Sequence, residues 1–249
     1  MKNKKKSLKD NVLSIFYAVF AALLIRSFLF EPFSIPSGSM YPNLLVGDYL
    51  FVSKYSYGFS KHSLPFSIPL IPERIFFKEP KRGEIVVFKT PEDNKTDYIK
   101  RLIGLPGDKI KLVSNTIYLN GKEIKQLNPR KEMYKDIEVS KLQETLPNTN
   151  TYDIYEFKKN SIFIDTNNFK EFIVPDEHYF VIGDNRDNSQ DSRFIGPVPK
   201  ENLVGRAEIV FLSVDTSIAS LFKFWTWYPS LRKGRFFTSL VPKKSNEKS

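Results

Sequence analysis

"DYIKRLIGLPGDKI" (residues 97–110) is the stretch on which the reading of the fold turns. Its first half is apolar and β-rich, Pro106 and Gly107 interrupt it, and a new apolar alternation starts at Asp108. That is strand, break, strand. As a strand it sets Tyr98, Lys100 and Leu102 on one face and Ile99, Arg101 and Ile103 on the other. The alternation lets Lys100 point inward while Arg101 points to solvent.

The same pattern recurs on both sides. "DYLFVSKY" (48–55), "GEIVVFKT" (83–90), "DKIKLVSNTIYLNGKEI" (108–124), "HYFVIGD" (178–184) and "GRAEIVFLSV" (205–214) read as strands, and Asn120-Gly121 closes a hairpin within the third. After residue 31 no long helical period occurs, so the body is mostly β. Residues 125–174 are richer in Lys, Asn, Glu, Asp and Thr, and "LPNTNTYD" (146–153) reads as an exposed loop. The expected layout is a β core in two parts, 31–112 and 175–237, an inserted smaller β region at 113–174, and a disordered tail at 238–249.

The N-terminus has another character. "VLSIFYAVFAALLI" (12–25) carries no charge, and the apolar run resumes after Arg26 as far as Phe30. Residues 11–30 suffice for a single transmembrane helix, with Arg26 near one end snorkelling to the headgroups. A cleaved signal peptide is the rival reading, and Arg26 in the apolar region speaks against it. Lysines 2, 4, 5, 6 and 9, in a basic segment spanning 1–10, predict a cytoplasmic N-terminus and a body outside the cytoplasm. The net charge of +10 sits at the two ends, in residues 1–10 and 223–249, and the body between is neutral. That distribution fits an anionic membrane surface and argues against nucleic-acid binding. "LFKFWTWYPSLRKGRFF" (221–237), with both tryptophans, suits either the headgroup zone or the core. Without cysteine, disulfides, zinc–thiolate sites and a cysteine nucleophile are excluded.

Three stretches carry candidate chemistry. "FSIPSGSMYPNLL" (33–45) holds Ser34, Ser37 and Ser39 in a proline-bounded loop. A serine attacks only when a base takes its proton. The chain has two histidines, His62 among prolines and His178 at a strand start, neither with a compelling acidic neighbour. A Ser–His–Asp triad stays open, since its members need not be adjacent. Lys100 is the other candidate, because a buried lysine loses hydration and its pKa falls. "GDNRDNSQDSR" (183–193) lacks the turn glycine and closing glutamate of a calcium loop. It reads as a network of Asx turns and Asp–Arg pairs that holds a neighbouring side chain. No metal or other cofactor is expected.

Together these stretches resemble one family, the bacterial type I signal peptidases, membrane-bound serine proteases with a Ser–Lys dyad. The resemblance rests on "PSGSMYPNLLVGDYLFVSKYSYG" (36–58), "PKRGEIVVFK" (80–89), "DYIKRLIGLPGDKI" (97–110) and "HYFVIGDNRDNSQDSRFIGPV" (178–198), in that order. It implies an antiparallel β core that carries the site, with a variable β insertion. It implies Ser39 as nucleophile, Lys100 as general base, Ser189 as the residue orienting the lysine amine, and Ser37 as an oxyanion donor with the Ser39 N–H. Asp184, Arg186, Asp191 and Arg193 would form a supporting salt-bridge network. Phe33, Ile35, Met40, Leu44, Tyr98 and Ile99 would shape pockets for small residues at −1 and −3 of a signal peptide. Asn43 departs from the more usual Pro-Thr-Leu, and the single span from members with two. The implied partners are exported preproteins and membrane lipid, with no nucleic acid, the protein acting as a monomer in the cytoplasmic membrane. Two rivals are a self-cleaving repressor-like protease, which the span opposes, and a membrane-tethered β-domain that binds without catalysis.

Overall fold

The computed structural model describes residues 8–147, 151–157, 168–218 and 228–242. One apolar helix, α1 (Leu8–Phe28), precedes a body built of antiparallel strands. From Asn11 to Phe28 its mean hydropathy is 1.8, with apolar side chains all round and almost none of them buried. Such a helix has no polar face to give to water.

The strands in chain order are β1 (Phe30–Ser34), β2 (Asp48–Ser53), β3 (Ile85–Lys89), β4 (Asp97–Gly104), β5 (Lys109–Val113), β6 (Thr116–Leu119), β7 (Lys122–Glu123) and β8 (Gln126–Tyr134). Then follow β9 (Ile137–Thr145), β10 (Thr151–Phe157), β11 (Phe169–Ile173), β12 (His178–Ile182), β13 (Val198–Pro199), β14 (Leu203–Ser213) and β15 (Thr238–Ser239). The main sheet runs β1-β2-β14-β3-β4-β12-β13, with β15 on β14. β1 lies at its end, where Pro32 needs no ladder donor. β4 is interior, and Val86 of β3 opposes Lys100.

Two smaller sheets complete the body, β11-β5-β6-β7 and β10-β9-β8. Leu119 pairs with Lys122 across Asn120 and Gly121, both at positive φ (52° and 76°). These are the torsions of the tight primed hairpin turn that Asn-Gly favours.

The structure refines the segment boundaries. The helix ends at Phe28, and Phe30 already belongs to β1. The insertion, expected to begin at 113, has a small buried cluster of its own in Tyr134, Val139, Tyr155 and Phe157, and it also shares the core of the main sheet. Ile110, Leu112, Ile117 and Ile154 pack in one buried cluster with Ile103, Phe180 and Ile182 of the main sheet. The 146–153 stretch is not a simple exposed loop, since Leu146 is buried and Tyr152 lies buried within β10; residues 148–150 lie outside the described residues. The tail does not start as disorder at 238: β15 pairs with Ile209 and Val210, and Leu240 packs on the core. Residues 1–7, Trp225, Trp227 and 243–249 lie outside the described residues.

Candidate active site

Ser39 sits in the turn after β1, and Lys100 sits in mid-β4. Both are buried, at 7% and 4% exposure. The Lys100 ammonium donates to Ser39 Oγ over 2.8 Å and to the Ile99 carbonyl over 3.0 Å, and it stands 5.3 Å from the centre of the Tyr98 ring. Burial pushes the Lys100 pKa from 10.5 down to about 8, Asp191 and Asp184 pull it back in part, and Arg193 lowers it further. Desolvation therefore outweighs two nearby carboxylates.

Ser37 Oγ lies 3.3 Å from Ser39 Oγ. Ser189 is buried nearby, but its hydroxyl makes no hydrogen bond to the Lys100 amine. Its side chain packs on Gly183, and the Ile99 carbonyl takes the amine's second bond. The histidines lie elsewhere. His62 Nδ1 is 3.0 Å from Ser67 Oγ, and His178 Nδ1 is 2.7 Å from the Asp176 carbonyl.

The 183–193 loop holds the Ser39 turn by its backbone. Asn185 N–H donates to the Ser39 carbonyl and Asn185 Nδ2 to the Gly38 carbonyl, each at 3.0 Å. A trans peptide points its N–H opposite its carbonyl. Fixing the Gly38 carbonyl therefore aims the Ser39 N–H away from Asn185. Gly183 lets the two segments meet: a Cβ there would lie 2.6 Å from the Ser39 carbonyl oxygen and 2.2 Å from Ser189 Oγ.

The charged residues of this loop do not pair only among themselves. Asp191 and Arg193 do, at 2.8 Å. Burial pushes the Asp191 carboxyl up, but Arg193 and the Gly183 N–H outweigh that and hold it below the usual range. Asp184 instead binds Arg101, through Nε and Nη2 at 2.7 Å each. Arg186 pairs with Glu144 of β9. Arg101 was expected in solvent. It is buried because β4 is covered on both faces, Leu102 packing in one cluster and Ile103 in another. Its guanidinium lies 4.0 Å from the centre of the Tyr152 ring. The sequence reading missed Arg101, Glu144, Asn185 and Gly183. A bidentate-capable arginine beside Lys100 was the available signal; nothing in the sequence linked Glu144 to residue 186.

Of the six residues read as substrate pocket, Ile35, Met40 and Leu44 lie buried in one core cluster. Phe33, Tyr98 and Ile99 are partly exposed, and Phe33 and Ile99 pack on the same cluster of Val52, Val87 and Val204. Among the described residues no cluster of His, Asp and Glu is placed to hold a metal ion.

The site thus sets a serine hydroxyl against a buried lysine amine on an antiparallel β body. A family model described as signal peptidase, peptidase S26, matches residues 8–212. Signal peptidase I of Rickettsia felis is 43% identical over 253 residues, covering 96% of this chain and 95% of that protein. The Rickettsia typhi enzyme of the same name is 42% identical over 250 residues, covering 94% and 95%. A crystal structure of a signal peptidase I from Enterococcus faecalis is 28% identical, covers 52% of this chain and 97% of its own, and superposes with a TM-score of 0.32. The chain belongs to the signal peptidase family, peptidase S26, and is a hydrolase of that kind.

Proposed function

We propose that this protein is a membrane-anchored endopeptidase that removes N-terminal signal peptides from exported preproteins, with Ser39 as nucleophile and Lys100 as general base. The observation that carries the reading is the 2.8 Å contact between Lys100 Nζ and Ser39 Oγ in a buried setting. In the neutral amine the bond reverses, and Ser39 Oγ–H donates to Nζ. Lys100 then takes the proton as Oγ attacks the scissile carbonyl. The oxyanion meets the Ser39 N–H, aimed by Asn185, and the Ser37 hydroxyl. The lysine ammonium returns its proton to the leaving amine, and water, activated by the same amine, releases the acyl-enzyme.

Substrate reaches the site as an extended chain. β12 pairs with β4 only from Arg101 onward, and β1 ends its sheet, so two strand edges are open near Ser39. Phe33 and Ile99 meet on one cluster between these edges, which supports a strand-like substrate with small side chains at −1 and −3. α1 supports the anchor, and the lysines before it support a cytoplasmic N-terminus and a catalytic body on the far side of the cytoplasmic membrane. The test is cleavage of a synthetic precursor peptide by purified protein. Wild type should cut after the small −1 residue, and a folded Ser39→Ala variant should not. Equal cleavage by both would overturn the reading.

A further inference from the structure

Where α1 meets the β body, a cavity of about 120 Å³ is lined by Arg26, Glu31, Lys54, His62, Lys89 and Asp97, among others. Lys54 is buried there and donates to Glu31 Oε2 and to the Ser63 carbonyl, each at 2.8 Å. Arg26 reaches the same carboxylate with Nε and Nη2, which leaves Nη1 outside that pair. Lys89 pairs with Asp97 at 2.8 Å. Three cations thus share two carboxylates. His62 is 4% exposed; Nδ1 faces Ser67 Oγ, and Nε2 is buried with no hydrogen-bond partner. Lys61, Lys89, Arg74 and Lys54 all act on this ring. A buried polar atom without a partner carries a desolvation cost that a ligand can relieve, and an imidazole among cations favours an anion.

We propose that this cavity binds the phosphodiester of a phospholipid headgroup, held by Arg26 and His62. The inference rests on the reading of α1 as a membrane anchor. Charge favours the diester: the lining has one positive charge in surplus, and a phosphodiester is a monoanion. A phosphate monoester, with a second pKa of about 6, is mostly a dianion at neutral pH, and inorganic phosphate is a mixture of monoanion and dianion. Height favours it too. Arg26 stands on the last turn of the apolar helix, where the headgroup zone of a span over Asn11–Phe28 begins. The Phe28 and Phe59 rings meet at 5.4 Å, and the loop that follows presents Leu70 and Phe76 at 75% and 77% exposure. Apolar side chains so placed suit the acyl boundary. With Nδ1 accepting from the Ser67 hydroxyl, the neutral ring carries its hydrogen on Nε2 and donates it to a phosphate oxygen.

The two histidines make the test direct, because His178 serves as an internal control for His62. Ring resonances of the full-length protein in a neutral detergent are followed at pH 7. Short-chain phosphatidylglycerol should shift His62 saturably and leave His178 in place. Inorganic phosphate should need a concentration about ten-fold higher or more, and an uncharged diacylglycerol should do nothing. Arg26→Gln should weaken the lipid about ten-fold, the worth of one charge-assisted contact, while cleavage of a soluble precursor peptide stays at the wild-type level. Protein that fractionates as integral to the membrane, yet shows a His62 signal indifferent to phosphatidylglycerol, overturns the proposal and leaves the anchor intact. An equal response to inorganic phosphate overturns the lipid assignment. Recovery of the full-length protein in the aqueous fraction overturns the anchor, and the proposal with it.

Discussion

Lys100 Nζ lies 2.8 Å from Ser39 Oγ, 61 residues away in the chain, and both groups are closed off from bulk water. As the proposed base Lys100 must be neutral before attack, and burial brings its pKa to about 8. For the proposed mechanism kcat/KM should therefore rise about ten-fold per pH unit below that value and level off above it. A profile that levels off near pH 6.5 instead would point to a histidine.

The same burial costs stability. The folded protein binds the Lys100 proton less tightly than the unfolded chain, whose lysine titrates near 10.5. Between about pH 8 and 10.5 the unfolded state therefore carries more protons, and stability rises with pH across that window. Below about pH 8 the penalty is present in full, roughly 3 kcal/mol for a shift of this size. Lys100→Met should be inactive yet more stable than wild type at pH 7, with the gain shrinking as pH approaches 10.5. Urea unfolding at several pH values checks this.

Asn185 holds the Gly38 and Ser39 carbonyls and reaches no open space, being fully buried. Asn185→Ala frees the Gly38 carbonyl and lets the Ser39 N–H turn out of line. Its kcat should fall by about ten- to a thousand-fold with KM nearly unchanged, as should that of Ser37→Ala, each variant weakening one oxyanion donor. A rise in KM at constant kcat would place both residues in substrate binding instead.

Arg101 and Asp184 form a buried bidentate pair. Asp184→Asn leaves the guanidinium charge without its counter-ion, which should cost about 3–5 kcal/mol. Replacing both by apolar residues should cost far less, and a double-mutant cycle by denaturant unfolding separates the two effects.

β4 was legible from the apolar, β-prone residues between Asp97 and Gly104, whereas Ser39 and Lys100 were picked out by the resemblance to the type I signal peptidases. The sequence did not show that both faces of β4 are covered. On the Ile103 side the cover comes from the insertion, which was read as a separate small β region with an exposed loop at 146–153. Tyr152 and Glu144 are the residues that reach inward, and they meet Arg101 and Arg186 only through the third dimension. Ser189 shows the converse. Its place near the site was readable, but the amine's second bond goes to a backbone carbonyl that no side-chain pattern reveals.

Activity of Lys100→Arg on a synthetic precursor peptide tests the central claim most directly. Arginine keeps the positive charge and much of the length but stays protonated in a protein. A folded Lys100→Arg enzyme should be as inactive as Lys100→Ala at every pH, while His62→Ala and His178→Ala keep most of their activity. An active Lys100→Arg enzyme would contradict the assignment of Lys100 as the base.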